Sequence, residues 1–456
     1  MRYYPLRICL FTICAILTAA VGLKAQESVQ SLVLPTVEAS SAAPYYTTVY
    51  RQPADPKPGQ LQIGVTYTLW IPEGVEQVRG IIVHQHGCGA GSCTGSVTAA
   101  HDLHWQELAR KNDCALLGPS FHQEQEQNCR LWCDPRNGSD RVFLSSLEEL
   151  AKSSGHPEIA TVPWCLWGHS GGGFWSSLMQ MAYPERIVAI WFQSGTAYGY
   201  WSKGEITAPN IPDAAMGIPM MANPGQKEKG HERFRNAWDG CLAMFKDYRA
   251  KGAPIGFAPD PRTGHETGDS RYLAIPFFNA CLRMRLPNKV GDPMRPVVAN
   301  HGWLAAALSH DAPQRAGDFD GDVANSVWLP DESVAKAWQD FVMTGAVNDE
   351  SPPESPTKIE VDRVTGRITW KAVTDFQSGL QAFIVERDGK PIGQVPTKPA
   401  NRFGRPLFQG MSYGDTPQLP LLKFEFVDPM AVKGATHKYR VIAVNSVGLR
   451  SVVIGD

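Results

Sequence analysis

Residues 164–173 of this 456-residue chain read Trp-Cys-Leu-Trp-Gly-His-Ser-Gly-Gly-Gly. Within them Gly168-His169-Ser170-Gly171-Gly172 fits G-x-S-x-G, a pattern that gains meaning when a strand precedes it and a helix follows. Val162 to Trp167 is an apolar run long enough for a buried strand, and Phe174 to Tyr183 opens an amphipathic helix. A sharp turn between the two lifts the serine hydroxyl above a sheet. Gly168 and Gly172 leave room where neighbouring chain crowds that turn. The helix N-terminus behind Ser170 favours negative charge developing there. The chemistry this allows is nucleophilic: a serine oxygen attacking a substrate once a base has taken its proton.

Other clusters carry less. Asp318-Phe319-Asp320-Gly321-Asp322 looks at first like a calcium loop, but the glutamate that closes such a loop is absent, so we read it as a solvated turn. No CxxC pair with a matching partner suggests zinc, and no glycine-rich phosphate loop stands out; neither metal nor cofactor is expected. With 43 basic and 45 acidic residues the net charge is −2, and no basic stripe is present, so nucleic acid is not an expected partner.

The elements around the serine alternate. Thr66 to Ile71 and Ile81 to His84 read as strands, Ser96 to Lys111 as a helix, and Ala115 to Gly118 as a strand. Asp140 to Ser153 reads as a helix. After the serine turn come a strand from Val188 to Phe192, a loop-rich insert with Tyr198, Tyr200 and Trp201, and a strand holding Met220 and Met221. A helix from Glu232 to Lys251, a strand from Ile255 to Ala258 and a helix from Ser270 to Arg283 follow. Together with the serine turn, this order resembles the α/β-hydrolase fold over about residues 45 to 345: a doubly wound, mostly parallel sheet.

That resemblance implies roles for further residues. The family places an acid after the strand two beyond the nucleophile and a histidine after the last strand, in the order Ser, Asp/Glu, His. Glu228, following the Ile218–Met221 run, stands where relatives carry the acid, although aspartate is the commoner choice. His265, in Thr263-Gly264-His265-Glu266, stands where they carry the histidine. Asp260 on the same loop is the serious rival for the acid; Asp239 and Asp247 lie mid-helix. His231 is too near Glu228, and His301 lies past the last expected strand. His86-Gly87-Cys88-Gly89 is similar to the esterase oxyanion loop, which implies backbone N–H donors at Cys88 and Gly171. His84 and His86 are read as structural.

The chain ends suggest a compartment. Arg2 and Arg7 precede an uncharged run from Ile8 to Leu23, and Ala25 offers a cleavage site: a signal peptide over 1–25, with no second long apolar run. An exported protein with Cys88, Cys93, Cys114, Cys129, Cys133, Cys165, Cys241 and Cys281 is expected to hold disulfides. Sequence does not give the pairing; Cys129 with Cys133, Cys88 with Cys93, and Cys241 with Cys281 are candidates. The polar, proline-rich stretch Asn348 to Pro356 marks a boundary, giving a catalytic domain over 26–350, a linker over 351–356 and a second domain over 357–456. The latter shows short alternating runs, an Asp388-Gly389 hairpin signal, and a closing run from Tyr439 to Gly448. It resembles a fibronectin type III domain, with Tyr439 as its corner tyrosine and Trp370 as its core tryptophan. The insert between Pro396 and Pro420 is long for that resemblance.

Taken together, these features lead us to expect an exported serine hydrolase that cleaves an ester through an acyl-enzyme, with a carbohydrate or polymer esterase as one form of that expectation. A peptidase or lactonase of the same fold, or a non-catalytic glycan- or protein-binding chain, are the alternatives. Oligomeric state is not readable.

Overall fold

The computed structural model describes residues 37–309, 311–398, 416–417, 419–431 and 436–452. The expected signal segment, Cys9 and Cys14 included, lies outside the described residues, as does most of the insert between Pro396 and Pro420. Nine strands form the central sheet: β1 Glu38–Ala42, β2 Tyr45–Tyr50, β3 Val65–Trp70, β4 Gly80–Gln85, β5 Cys114–Phe121, β6 Trp164–His169, β7 Ile187–Gln193, β8 Met220–Asn223 and β9 Ile255–Phe257, in the spatial order β1-β2-β3-β5-β4-β6-β7-β8-β9. The first three strands join antiparallel and β3 runs antiparallel to β5; from β5 to β9 each pairing is parallel.

The sequence explains the change. Along β3, buried and half-buried residues alternate, as in a strand with one covered face. In β4, β6 and β7 every position is buried, because helices cover both faces of a parallel sheet. Six helices matter here: α1 Leu103–Lys111, α2 Ser139–Ser154, α3 Gly171–Ala182, α4 Arg235–Ala250, α5 Arg271–Arg285 and α6 Glu332–Thr344. Helix α3 packs on β6 and β7, α4 on β8 and β9, and α5 on β7 and α6. This is the α/β-hydrolase arrangement. Its strand order reverses at β4 and β6, so the loops leaving these two strands run to opposite sides and open a crevice at their carboxyl ends.

One expected helix is broken. Asp102 adopts an extended backbone (ψ 114°), splitting Ser96 to Lys111 into a tight turn and α1. Its carboxylate caps α1 by accepting from the N–H groups of His104 and Trp105 at 3.0 and 3.2 Å. It also takes the Arg271 guanidinium at 3.0 and 2.8 Å. This buried, doubly hydrogen-bonded pair fixes α1 against the start of α5. A small antiparallel sheet, β10 Trp303–Ala306, β11 Gln314–Arg315 and β12 Ser326–Leu329, lies between α5 and α6. Just before β12, Asp322 accepts from the Ala324 N–H at 3.0 Å, capping an exposed turn.

The C-terminal part is all-β. Strands β13 Thr357–Asp362, β14 Arg367–Lys371 and β17 Glu425–Val427 form one antiparallel sheet; β15 Leu380–Arg387, β16 Lys390–Val395 and β18 Tyr439–Asn445 form another. Ile368, Trp370, Phe383, Val385, Val441 and Ala443 make a core of their own. Trp370 is buried as expected, whereas Tyr439 is half-buried at the edge and donates its hydroxyl to Asp428 Oδ2 at 2.8 Å. The module is also docked on the larger domain. His104 Nε2 bonds to the Phe376 carbonyl at 2.9 Å, Lys111 Nζ sits 4.5 Å over the Phe376 ring, and Leu103 packs against the small core. Ahead of the expected linker, Asp349 is already engaged: its Oδ2 accepts from Ser378 Oγ at 2.6 Å and Asn445 Nδ2 at 3.0 Å.

Candidate active site

Ser170 links β6 to α3 with φ 53° and ψ −112°, a backbone region that costs a non-glycine residue energy and that needs tight surroundings to persist. Those surroundings are glycine. A Cβ on Gly87 would lie 2.8 Å from the Ser170 Cβ, and Gly168 abuts the Gly172 backbone. The Ser170 N–H donates to the Gln193 carbonyl at 2.8 Å, which ties the turn to the end of β7.

Glu228 ends a tight turn after β8, and His265 sits on the loop after β9. The two loops are laced together by backbone bonds: Gln226 N–H to Asp260 O at 2.8 Å and Lys227 N–H to Thr263 O at 2.9 Å. This lacing fixes the distance between the two side chains. His265 Nδ1 lies 2.5 Å from Glu228 Oε1, and His265 Nε2 lies 2.9 Å from Ser170 Oγ. With the ring proton on Nδ1, the carboxylate accepts from Nδ1–H and the serine O–H donates to Nε2. Asp260, the rival acid, turns Oδ1 to the Arg262 N–H at 2.8 Å and so shapes its own loop. Burial lowers the His265 pKa to about 4, with the positive charge of Arg233 the next contribution. Burial also raises the Glu228 pKa to about 8. Joined by a short bond, the two titrate as a pair. The direction that matters for base chemistry is the imidazole's, toward the unprotonated ring.

Three residues that sequence reasoning passed over hold His265. His169, the variable position of the serine motif, is buried, and its Nε2 lies 2.7 Å from the His265 carbonyl, so the turn steadies the histidine loop. The Phe234 ring stacks on the imidazole at 4.1 Å and 8°. Arg233 in turn sits 5.0 Å over the Phe234 ring. An aromatic just before a helix carries no sequence signal for this role. His84 and His86 are buried among aromatics, with His84 stacked on Trp167 at 4.0 Å.

Cys88 and Gly171, the expected oxyanion donors, are neighbours in space. A Cβ on Gly171 would lie 3.4 Å from Cys88 N, and both residues border the cavity containing Ser170. The cysteine pairing differs from every candidate pair. Cys88 is bonded to Cys129, while Cys93, Cys114, Cys133, Cys165, Cys241 and Cys281 are free and buried. The reason is topological: β4 and β5 are neighbours, so the loops at their carboxyl ends meet over Gly171. Cys241 and Cys281 sit on α4 and α5, which pack on different strands. Gln123 completes the brace, its Oε1 accepting from Gly89 N–H at 3.1 Å and Trp132 Nε1 at 2.8 Å.

Two cavities meet at these side chains. One of about 330 Å³ runs past Gly171 toward Cys129, Phe174 and Tyr200. The other, about 790 Å³, runs along residues 87–95 and reaches Thr416, Pro417 and Leu419 of the C-terminal module. Both include Cys88, Ser170, Arg233, Phe234 and His265.

No known protein family matches the chain, and no curated protein does. Solved structures resemble part of it. An S-formylglutathione hydrolase from Agrobacterium tumefaciens is similar at 14% identity over 55% of this chain and 98% of its own, with a TM-score of 0.33. A fungal esterase from Rhizomucor miehei shares 14% identity over 55% of this chain and 84% of its own (TM-score 0.33). A dienelactone hydrolase from Anabaena variabilis shares 16% over 45% and 83% (TM-score 0.26).

Proposed function

We propose that this chain is a serine hydrolase that cleaves an ester through an acyl-enzyme, with Ser170 as nucleophile, His265 as base and Glu228 as the acid that orients it. The observation that carries this reading is the pair of hydrogen bonds in series, 2.9 Å from Ser170 to His265 and 2.5 Å from His265 to Glu228, on a serine held at positive φ between two cavities. His265 Nε2 takes the serine proton as Oγ attacks the carbonyl carbon, and Glu228 stabilises the imidazolium. The N–H groups of Cys88 and Gly171 receive the negative charge on the tetrahedral oxygen. The imidazolium then protonates the leaving alcohol, and a water activated by the same nitrogen releases the acid.

We further read the chain as exported, since its disulfide lies beside the nucleophile and its N-terminus has a signal pattern. The C-terminal module is read as fibronectin-like and suits a carbohydrate or polymeric ester. A fluorophosphonate probe tests the core of this reading. Wild type should be labelled on Ser170, and Ser170→Ala should not. Absence of labelling in folded wild type would favour a binding protein instead.

A further inference from the structure

Three arginines are buried among the described residues, and all three are spoken for, whereas Arg130 is half-buried and Arg233 exposed at the mouth of a cavity. Arg271 holds Asp102, Arg249 reaches the Ser326 carbonyl at 3.0 Å, and Arg285 reaches the carbonyls of Ile187 and Val188 at 2.6 and 2.8 Å. The 330 Å³ cavity is different. Arg130 and Arg233 both line it, and no Asp or Glu does among the described residues. Neither guanidinium has a carboxylate within ion-pair distance among the described residues. Each instead lies against an aromatic ring: Arg130 at 5.3 Å from the Tyr200 centroid and Arg233 at 5.0 Å from that of Phe234.

The acids near it include Glu205, an exposed carboxylate whose charge acts on Tyr200, and Asp134 and Glu266. Asp134 is taken by Arg136 through two bonds of 2.8 and 2.6 Å, and Glu266 accepts the Gly264 N–H at 3.2 Å. Two cations therefore face one water-accessible chamber that opens on Ser170, with only neutral groups such as Asn128, Thr196 and Asn236 around them. A guanidinium stacked on a ring keeps its in-plane N–H donors free for an oxyanion, which it meets as a fork. Two such cations in a walled cleft also raise the local concentration of anions.

We propose that the smaller cavity binds an anionic group on the substrate, so that the preferred ester carries a negative charge on the half that enters the Arg130–Arg233 chamber. This rests on the hydrolase reading above and names the substrate class for the same serine. The uncharged half then lies in the larger cavity, along residues 87–95, which Arg233 also borders but Arg130 does not.

The test compares kcat/KM for two matched pairs of esters. Mono-4-nitrophenyl adipate against 4-nitrophenyl hexanoate places the charge on the acyl side. 4-Acetoxybenzoate against its methyl ester places it on the alcohol side. Wild type should favour the anionic member of one pair by about tenfold or more, as for a charge-assisted pair in a partly enclosed site. Arg130→Gln and Arg233→Gln should each cut that ratio severalfold, and the double variant should abolish it. The ratio is the readout, so a general effect of Arg233 on His265 cancels. The preference should also shrink from 50 mM to 500 mM salt. Cleavage of the neutral esters with no anionic preference in either pair overturns the inference and leaves the hydrolase standing. A preference that survives the double substitution also overturns it. Failure to cleave any of the four overturns both.

Discussion

Ser170, His265 and Glu228 give the sharpest expectations at the scale of single residues. Ser170→Ala should fold and lose about 10⁴-fold or more in kcat, because it removes the hydroxyl that lies 2.9 Å from the imidazole Nε2. Glu228→Gln should cost on the order of 10⁴-fold, since an amide at 2.5 Å favours the wrong ring tautomer. Asp260→Asn, whose Oδ1 serves the Arg262 N–H, should cost far less, and equal losses in the two would show that Glu228 is not the acid. The pH dependence follows from Arg233. Its positive charge opposes protonation of His265, so its removal makes the imidazole easier to protonate. In Arg233→Gln the acid limb of kcat/KM should therefore move to higher pH, measured with a neutral ester. An acid limb that stays in place or moves down would show that Arg233 does not act on the pair.

At the scale of elements, much of the site was legible because strand ends carry it. The serine turn needed only a motif with a strand before and a helix after. Glu228 and His265 were expected from the resemblance to the α/β-hydrolase fold, which places an acid and a histidine past short apolar runs such as these. What stayed hidden depends on loops meeting in space. Cys88 pairs with Cys129 across 41 residues because β4 and β5 are adjacent, and adjacency cannot be read from spacing. Phe234 and His169 act by packing on His265, which leaves no periodic trace. The split before α1 was missed because Asp102, an ordinary capping residue, sits inside a helical pattern. The small sheet β10–β12 is built from runs of two to four residues, too short to register. On the proposed reading the disulfide bears on activity as well as stability, since it anchors the loop whose Cys88 N–H would receive the oxyanion. Reduction should lower the melting temperature, with a cost of roughly 2–4 kcal/mol, and should reduce kcat for a neutral ester more than it raises KM. Of the eight cysteines from Cys88 onward, six should titrate as thiols in denatured, unreduced protein; eight would remove the bridge.

At the scale of the whole molecule the question is how far the C-terminal module and the region before residue 350 act together. A polar stretch before a module with its own core suggests a separately folding unit, so a chain cut near residue 350 should leave hydrolysis of a small ester nearly intact, unless the module packs over the pocket mouth and changes KM. The docking contacts favour the second outcome for longer esters. Thr416 donates its hydroxyl to the Gly95 carbonyl, Thr98 donates to the Pro417 carbonyl, and both 416 and 417 border the larger cavity. Truncation near residue 350 should therefore expose α1 around His104 and raise KM for an ester long enough to reach residues 87–95. Chemistry on a minimal acetate ester should be nearly unchanged. A truncated chain with unaltered KM for both would show that the contacts are incidental to the cleft. The shared wall also changes what a swap of parts would do. If the proposed function holds, grafting a different β module onto this chain would alter which esters it accepts, even with every residue before 350 left in place. Selection on substrate choice can then act through mutations more than two hundred residues downstream of the serine, in a region that a survey of the catalytic domain alone would score as neutral.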